Sequence, residues 1–179
     1  ITLERAELQL RDSKIVLEDQ IRDVNAIARE AHRLKREKDI KLMVVDYLQL
    51  MHLGDSFSQS REREVAMVCS RLKDIAKKLD IPLIAVCPLN RQGEGTNREP
   101  QLDDLRESGS IEYEADVVTF LHRERNTEGV LSMIVAKNRQ GALGREVISF
   151  DGSTGVFSEL SAISNAPSNS SIKIGAPPI

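Results

Sequence analysis

The sequence predicts an α/β domain, with a mostly parallel sheet flanked by helices and antiparallel strands towards the C-terminus. Three observations carry that expectation. Short apolar runs at 15–17, 41–46 and 83–87 alternate with two long stretches of helical periodicity, giving the order β-α-β-α-β. The runs are apolar at consecutive positions, as in strands covered on both faces by helices. Beyond residue 115 the pattern changes to four shorter segments separated by turn residues.

Residues 1–12 read as the tail of a helix, so the chain is expected to begin inside a domain. Ile15-Val16-Leu17 is expected as a short strand, and Asp19 as the cap of the helix after it. Ile21, Val24, Ala28, Ala31 and Leu34 then recur at helical spacing. The run from Lys41 to Asp46 is a buried strand ending in a carboxylate, and 52–60 is a loop. Val65, Val68, Leu72, Ile75, Ala76 and Leu79 mark a second amphipathic helix, closed before Pro82, which opens the strand Leu83–Cys87. Residues 88–109 read as one long polar loop, and loops of that length inside a compact domain commonly carry function. Strands are expected next at 116–122, 130–136, 145–150 and 155–158, with Asp151-Gly152 as a hairpin turn. The Ser-, Asn- and Pro-rich stretch 161–179 reads as a flexible tail, which leaves a domain at 1–160.

Composition narrows the function. Twenty-five basic residues against 28 acidic give a net charge of −3, so any nucleic-acid contact has to be local. Six aromatics and no Trp argue against a surface built on base stacking. Cys69 and Cys87 lack metal-ligand spacing and read as reduced core residues, which fits the cytosol. No apolar run is long enough to span a membrane, and no signal-peptide pattern is present. His32, His52 and His122 are scattered and receive no role.

Asp46 is the sharpest local feature. A carboxylate closing a buried strand is where nucleotide-hydrolysing α/β proteins hold magnesium, although many such residues only cap the next turn. The neighbouring residues decide between the two. Asp46-Tyr47-Leu48-Gln49-Leu50-Met51 resembles the Walker B segment of DnaB-family replicative helicases. Arg33 to Glu37 resembles the helix before that strand, and Arg63-Glu64-Val65 through Leu72-Lys73 to Ala76-Lys77 the helix after it. Asp104-Leu105-Arg106-Glu107-Ser108-Gly109-Ser110-Ile111-Glu112 and Lys137-Asn138-Arg139-Gln140-Gly141 resemble two further signatures of that family, in the family's order.

The resemblance implies a partial RecA-like P-loop NTPase core. In the intact protein it implies a hexameric ring that hydrolyses ATP with Mg2+, translocates on single-stranded DNA and separates the duplex. It further implies a bacterial or phage-encoded cytoplasmic protein, with primase and a helicase loader as partners. Asp46 would serve the magnesium ion through water. Arg106, Glu107 and Gly109 would belong to the single-strand-binding loop: Arg meets phosphate, and Gly lets main-chain N–H groups approach the strand. Arg139 would be the arginine finger acting on the neighbouring subunit's nucleotide, assisted by Lys137, whose side chain is expected on the same side of a strand end.

Three departures from the family pattern stand out. The chain holds no G-x-x-x-x-G-K-[S/T], so nothing in it cradles phosphates, and the family's catalytic Glu has no counterpart. Pro88 in Cys87-Pro88-Leu89-Asn90-Arg91 stands where the family has the Gln that senses the γ-phosphate. Tyr113 stands where the family usually has Gln. These 179 residues alone are therefore expected to be inactive. A non-catalytic DNA-binding or ring-assembly module is the alternative. A RadA-type recombination ATPase fits the two signatures less well.

Overall fold

Asp23 starts the first long helix. Its carboxylate accepts from the Ala26 N–H at 2.8 Å, meeting one of the donors a helix start leaves open. The computed structural model describes residues 3–54, 60–89, 98–105, 109–123 and 127–160. It divides into two compact units, Ile1–Gly95 with Gln101–Ala115, and Thr96–Pro100 with Asp116–Ile179.

In the first unit the elements are α1 (Leu3–Arg11), α2 (Val24–Lys38), β1 (Met43–Val45), α3 (Arg61–Leu79), β2 (Leu83–Ala85) and α4 (Gly109–Glu114), with 3-10 turns at Leu48–Leu50 and Leu102–Asp104. β1 and β2 are parallel, in register Met43↔Leu83, Val44↔Ile84 and Val45↔Ala85. Parallel neighbours need a crossover, and α3 supplies it. Val24, Ala31, Val45, Leu48, Val65, Val68, Leu72 and Ile75 belong to the buried core of this unit. Removing a side chain such as Val68 or Leu48 from water stabilises by about 1.5–3 kcal/mol. α2 and α3 end on Asp39 (φ 49°) and Asp80 (φ 51°) in the left-handed conformation, which Asp enters more readily than most side chains.

Four local expectations fail here, the first being strands covered on both faces: Val44 of β1 is 57% and Ile84 of β2 53% exposed. Residues 15–17 form no strand: Ile15 and Leu17 are exposed, and no described residue pairs with them. A strand exists through its neighbour's hydrogen bonds, which apolar content alone does not provide. The cap is Asp23 instead of Asp19, which lies four residues upstream in a non-helical segment and accepts from Gln20 Nε2. The single polar loop expected at 88–109 also contains a 3-10 turn, and α4 starts at Gly109.

The second unit is an antiparallel sheet, β3 (Val117–His122), β4 (Val130–Asn138), β5 (Gly144–Asp151) and β6 (Val156–Glu159), joined in chain order. All four lie where the sequence places them. At the β5–β6 hairpin Phe150 and Phe157 are register partners with ring centroids 4.7 Å apart. The Asp151 carboxylate accepts from the Ser153 and Thr154 hydroxyls and the Ser153 N–H. Those bonds hold its pKa down to about 2. A parallel pair with helices, then an antiparallel sheet, is the fold class the sequence predicts. Among the described residues no helix is long and apolar enough to cross a membrane.

Candidate nucleotide and nucleic-acid site

Asp46 comes directly after β1 and is exposed, and its peptide bond to Tyr47 is cis. The segment beyond it is tied down on two sides. Towards β2, Val86 N–H donates to Val45 O at 2.9 Å and Leu48 N–H to Val86 O at 2.8 Å. Gln49 Nε2 donates to Cys87 Sγ at 3.0 Å. Towards α3, the Arg61 guanidinium donates to Gln49 O at 2.7 Å, to Met51 O at 3.3 Å and to Glu64 at 2.6 Å. Burial pushes the Glu64 carboxyl up, but the Leu53 N–H and Arg61 outweigh it and hold it below the usual carboxylate range. Arg61 and Gln49 are the residues that sequence reasoning misses as a pair. The only signal was an Arg three positions before Glu64 at a helix start.

Among the described residues no group of three or more His, Cys, Asp or Glu could hold a metal. Asp46 fits one part of a magnesium site, since Mg2+ commonly takes one or two carboxylates and fills its remaining positions with water and phosphate. Bound Mg2+ would neutralise phosphate charge there. The sequence holds no phosphate-binding loop, so no transfer step is assigned to its residues.

The described residues on either side of 106–108 are anchored in the first unit. Leu105 is buried and forms an antiparallel bridge with Leu89, just beyond β2. Asp104, also buried, accepts from Gln101 N–H at 2.8 Å. On the far side, Ile111 of α4 packs against the core and Lys73 Nζ donates to Glu114 O at 2.7 Å. Gly109 is the first residue of α4, and a Cβ there would meet nothing within 4 Å. Arg106 and Glu107 lie outside the described residues. Tyr113 is exposed, and Cys87 is half-buried while Cys69 is buried, its thiol pushed up to about 12 chiefly by desolvation. Neither cysteine is in a disulfide.

In the second unit Lys137 lies in β4, and Arg139 is one residue past the end of that strand. The pairing steps from Thr119↔Val135 to Val118↔Lys137, so Ala136 is the extra residue of a bulge. Bulges re-aim the side chains beside them. Arg139 N–H donates to Asp116 O at 2.9 Å, and its guanidinium lies 3.4 Å from the Asp116 carboxylate. Asn138 closes the following turn through Gln140 N–H and Ala142 O. A Cβ on Gly141 would fall 2.5 Å from Asn138 Nδ2, so only glycine leaves that side chain where it is.

A parallel pair with its crossover helix, an acidic residue at the strand end and an antiparallel sheet are the elements of a RecA-like fold. The model of the DnaB-like helicase C-terminal domain matches residues 2–159, and the chain belongs to that family. It is 34% identical over 163 residues to a probable plasmid replicative DNA helicase of Chlamydia muridarum, covering 90% of this chain and 36% of the relative. It is 46% identical over 122 residues to the replicative DNA helicase DnaB of Mycobacterium leprae, covering 64% and 20%. The chain thus spans little more than a third, or less, of these relatives' length. Among solved structures, a DnaB-like replicative helicase studied for its interactions with primase superposes with a TM-score of 0.82 at 31% identity, over 89% of this chain and 41% of that one. A second solved structure, of an ATPase domain, gives 0.81 at 31% identity, over 89% and 59%.

Proposed function

We propose that this chain is the nucleotide- and DNA-responsive part of a replicative helicase motor. Within a whole protein it works as a hexameric ring that hydrolyses ATP with Mg2+, moves along single-stranded DNA and unwinds the duplex. Asp46 serves the magnesium ion of its own subunit. Arg139, assisted by Lys137, acts in trans on the neighbour's nucleotide, and Arg106, Glu107 and Gly109 hold the DNA backbone. Primase and a loader are its partners in the bacterial or phage-infected cytoplasm. Residues 1–160 are the motor portion and 161–179 a tail.

The supporting observation is the anchoring of the 106–109 loop. The Leu89–Leu105 bridge ties the residue before this segment to the chain leaving β2, the strand that pairs with β1, which Asp46 directly follows. Anchored neighbours on both sides of residues 106–108 support the reading that cations there meet a phosphate backbone in one register. Pro88 favours a second reading, a DNA-binding or assembly module without a motor, because it offers no side-chain amide between β2 and the loop.

The test is photo-crosslinking of an oligothymidine carrying 4-thiothymidine to the chain, with the attached peptides mapped by mass spectrometry. Attachment within residues 101–115 is expected, and attachment confined to other segments overturns the assignment. The same preparation is expected to hydrolyse no ATP with or without DNA. DNA-stimulated turnover by these 179 residues overturns the division of labour proposed for the motor.

A further inference from the structure

An open groove of about 850 Å3 runs between α2 and α3, and neither Asp46 nor any residue of 101–115 lines it. Its lining holds Arg29, Arg33, Lys35, Arg36 and Lys78 with His32 and no carboxylate, on a chain of net charge −3. Two of these cations are engaged: Arg33 by Glu30 and Glu37, each at 2.5 Å, and Lys35 by Asp39 at 3.1 Å. Arg36 reaches Glu37 only at 3.4 Å. Arg29, His32 and Lys78 form no ion pair or side-chain hydrogen bond among the described residues and are exposed. An unbalanced cluster of exposed cations repels itself unless an anion arrives.

We propose that this groove docks an acidic, amphipathic helical segment of a partner protein. Arg29 and Arg36 stand seven residues apart on α2, roughly 10 Å along the axis, with His32 between them. Carboxylates at i, i+3 or i+4, and i+7 of a partner helix share that rise. Lys78 at the end of α3 faces them across the groove, and Ala28 with the buried Leu79 gives an apolar floor for one aliphatic side chain. A nucleic-acid strand fits less well. No Phe, Tyr or Trp lines the groove for base stacking. Glu30 and Glu37, fixed on Arg33, place negative charge beside it that a continuous row of phosphates would meet. Isolated carboxylates can pass between them.

Fluorescence anisotropy on the whole chain separates the readings, with three probes: a helix-forming peptide with Glu at i, i+4 and i+7 and one Leu between, its Gln counterpart, and an oligothymidine. The protein variant is Arg29→Glu/Arg36→Glu/Lys78→Glu, all three positions being exposed, and circular dichroism checks its fold. We expect the Glu peptide to bind and to lose about tenfold or more of its affinity in the variant, the Gln peptide to bind no better than that residue, and the oligothymidine to be unaffected. Equal binding of both peptides, or Glu-peptide affinity unchanged in a folded variant, overturns the proposal. Loss of oligothymidine affinity with no peptide effect assigns the groove to nucleic acid and overturns it as well. Because no residue of 101–115, where the DNA crosslink is expected, lines this groove, failure of the DNA assignment and failure of the groove read out separately.

Discussion

Arg139 is held at two points by Asp116: its main-chain N–H lies 2.9 Å from the Asp116 carbonyl, and its guanidinium 3.4 Å from the carboxylate. The main-chain bond fixes where the residue leaves the sheet, and the ion pair only leans the side chain. Both groups are largely exposed, so the pair is expected to be easily exchanged for another anion. A double-mutant cycle with Asp116→Ala and Arg139→Ala, read by thermal denaturation, should give a coupling of about 0–1 kcal/mol. A coupling well above that range would mark Arg139 as a structural residue and remove it as a candidate finger.

Arg61 is expected to matter more. It supplies hydrogen bonds to Gln49 O and Met51 O as well as to Glu64, and its loss leaves half-buried carbonyls unmet. Arg61→Ala should destabilise by about 1–3 kcal/mol in denaturant unfolding, and Arg61→Lys should restore little because a single ammonium cannot reproduce the fork.

The Glu64 carboxyl is held below its ordinary range in the folded chain. A lowered folded pKa contributes stability that is present above the unfolded value, about 4.3, and disappears as the pH falls through the folded one. Unfolding free energy should therefore drop below pH ~4.5 and drop less in Glu64→Gln, which keeps an acceptor for Leu53 N–H. Equal acid sensitivity in both proteins would assign the effect to other carboxylates.

Leu72 and Ile84 separate the two faces of the parallel pair's surroundings. Leu72 is 2% exposed and Ile84 53%. Leu72→Ala should cost about 2–5 kcal/mol, and Ile84→Ala within about 1 kcal/mol, by the same unfolding assay.

Periodicity made α2, α3 and the last four strands legible, because each buries a stripe or pairs with its sequence neighbour. Ile15-Val16-Leu17 misled for the opposite reason: a strand's partner is not written in its own residues. Asp19 and Asp23 are equivalent as letters, and only the folded chain, in which Asp23 accepts from Ala26 N–H and bridges to His52, shows which of them starts the helix. At the candidate site, the strand-end position of Asp46 was readable from the apolar run before it. The Arg61 clamp and the Ala136 bulge were not, since one joins loop carbonyls to a helix and the other is a slip in pairing. The groove cations were visible as charges on a helix face. That Arg29, His32 and Lys78 lack an ion pair among the described residues is visible only in three dimensions.

The contact to test is the one proposed between Arg106 and DNA. Oligothymidine affinity should be measured at several salt concentrations between about 0.05 and 0.2 M for the wild-type chain and for Arg106→Ala. Affinity should weaken in the variant, and the slope of log affinity against log salt should fall by about 1, the loss of one phosphate contact. An unchanged affinity with an unchanged slope would contradict that contact.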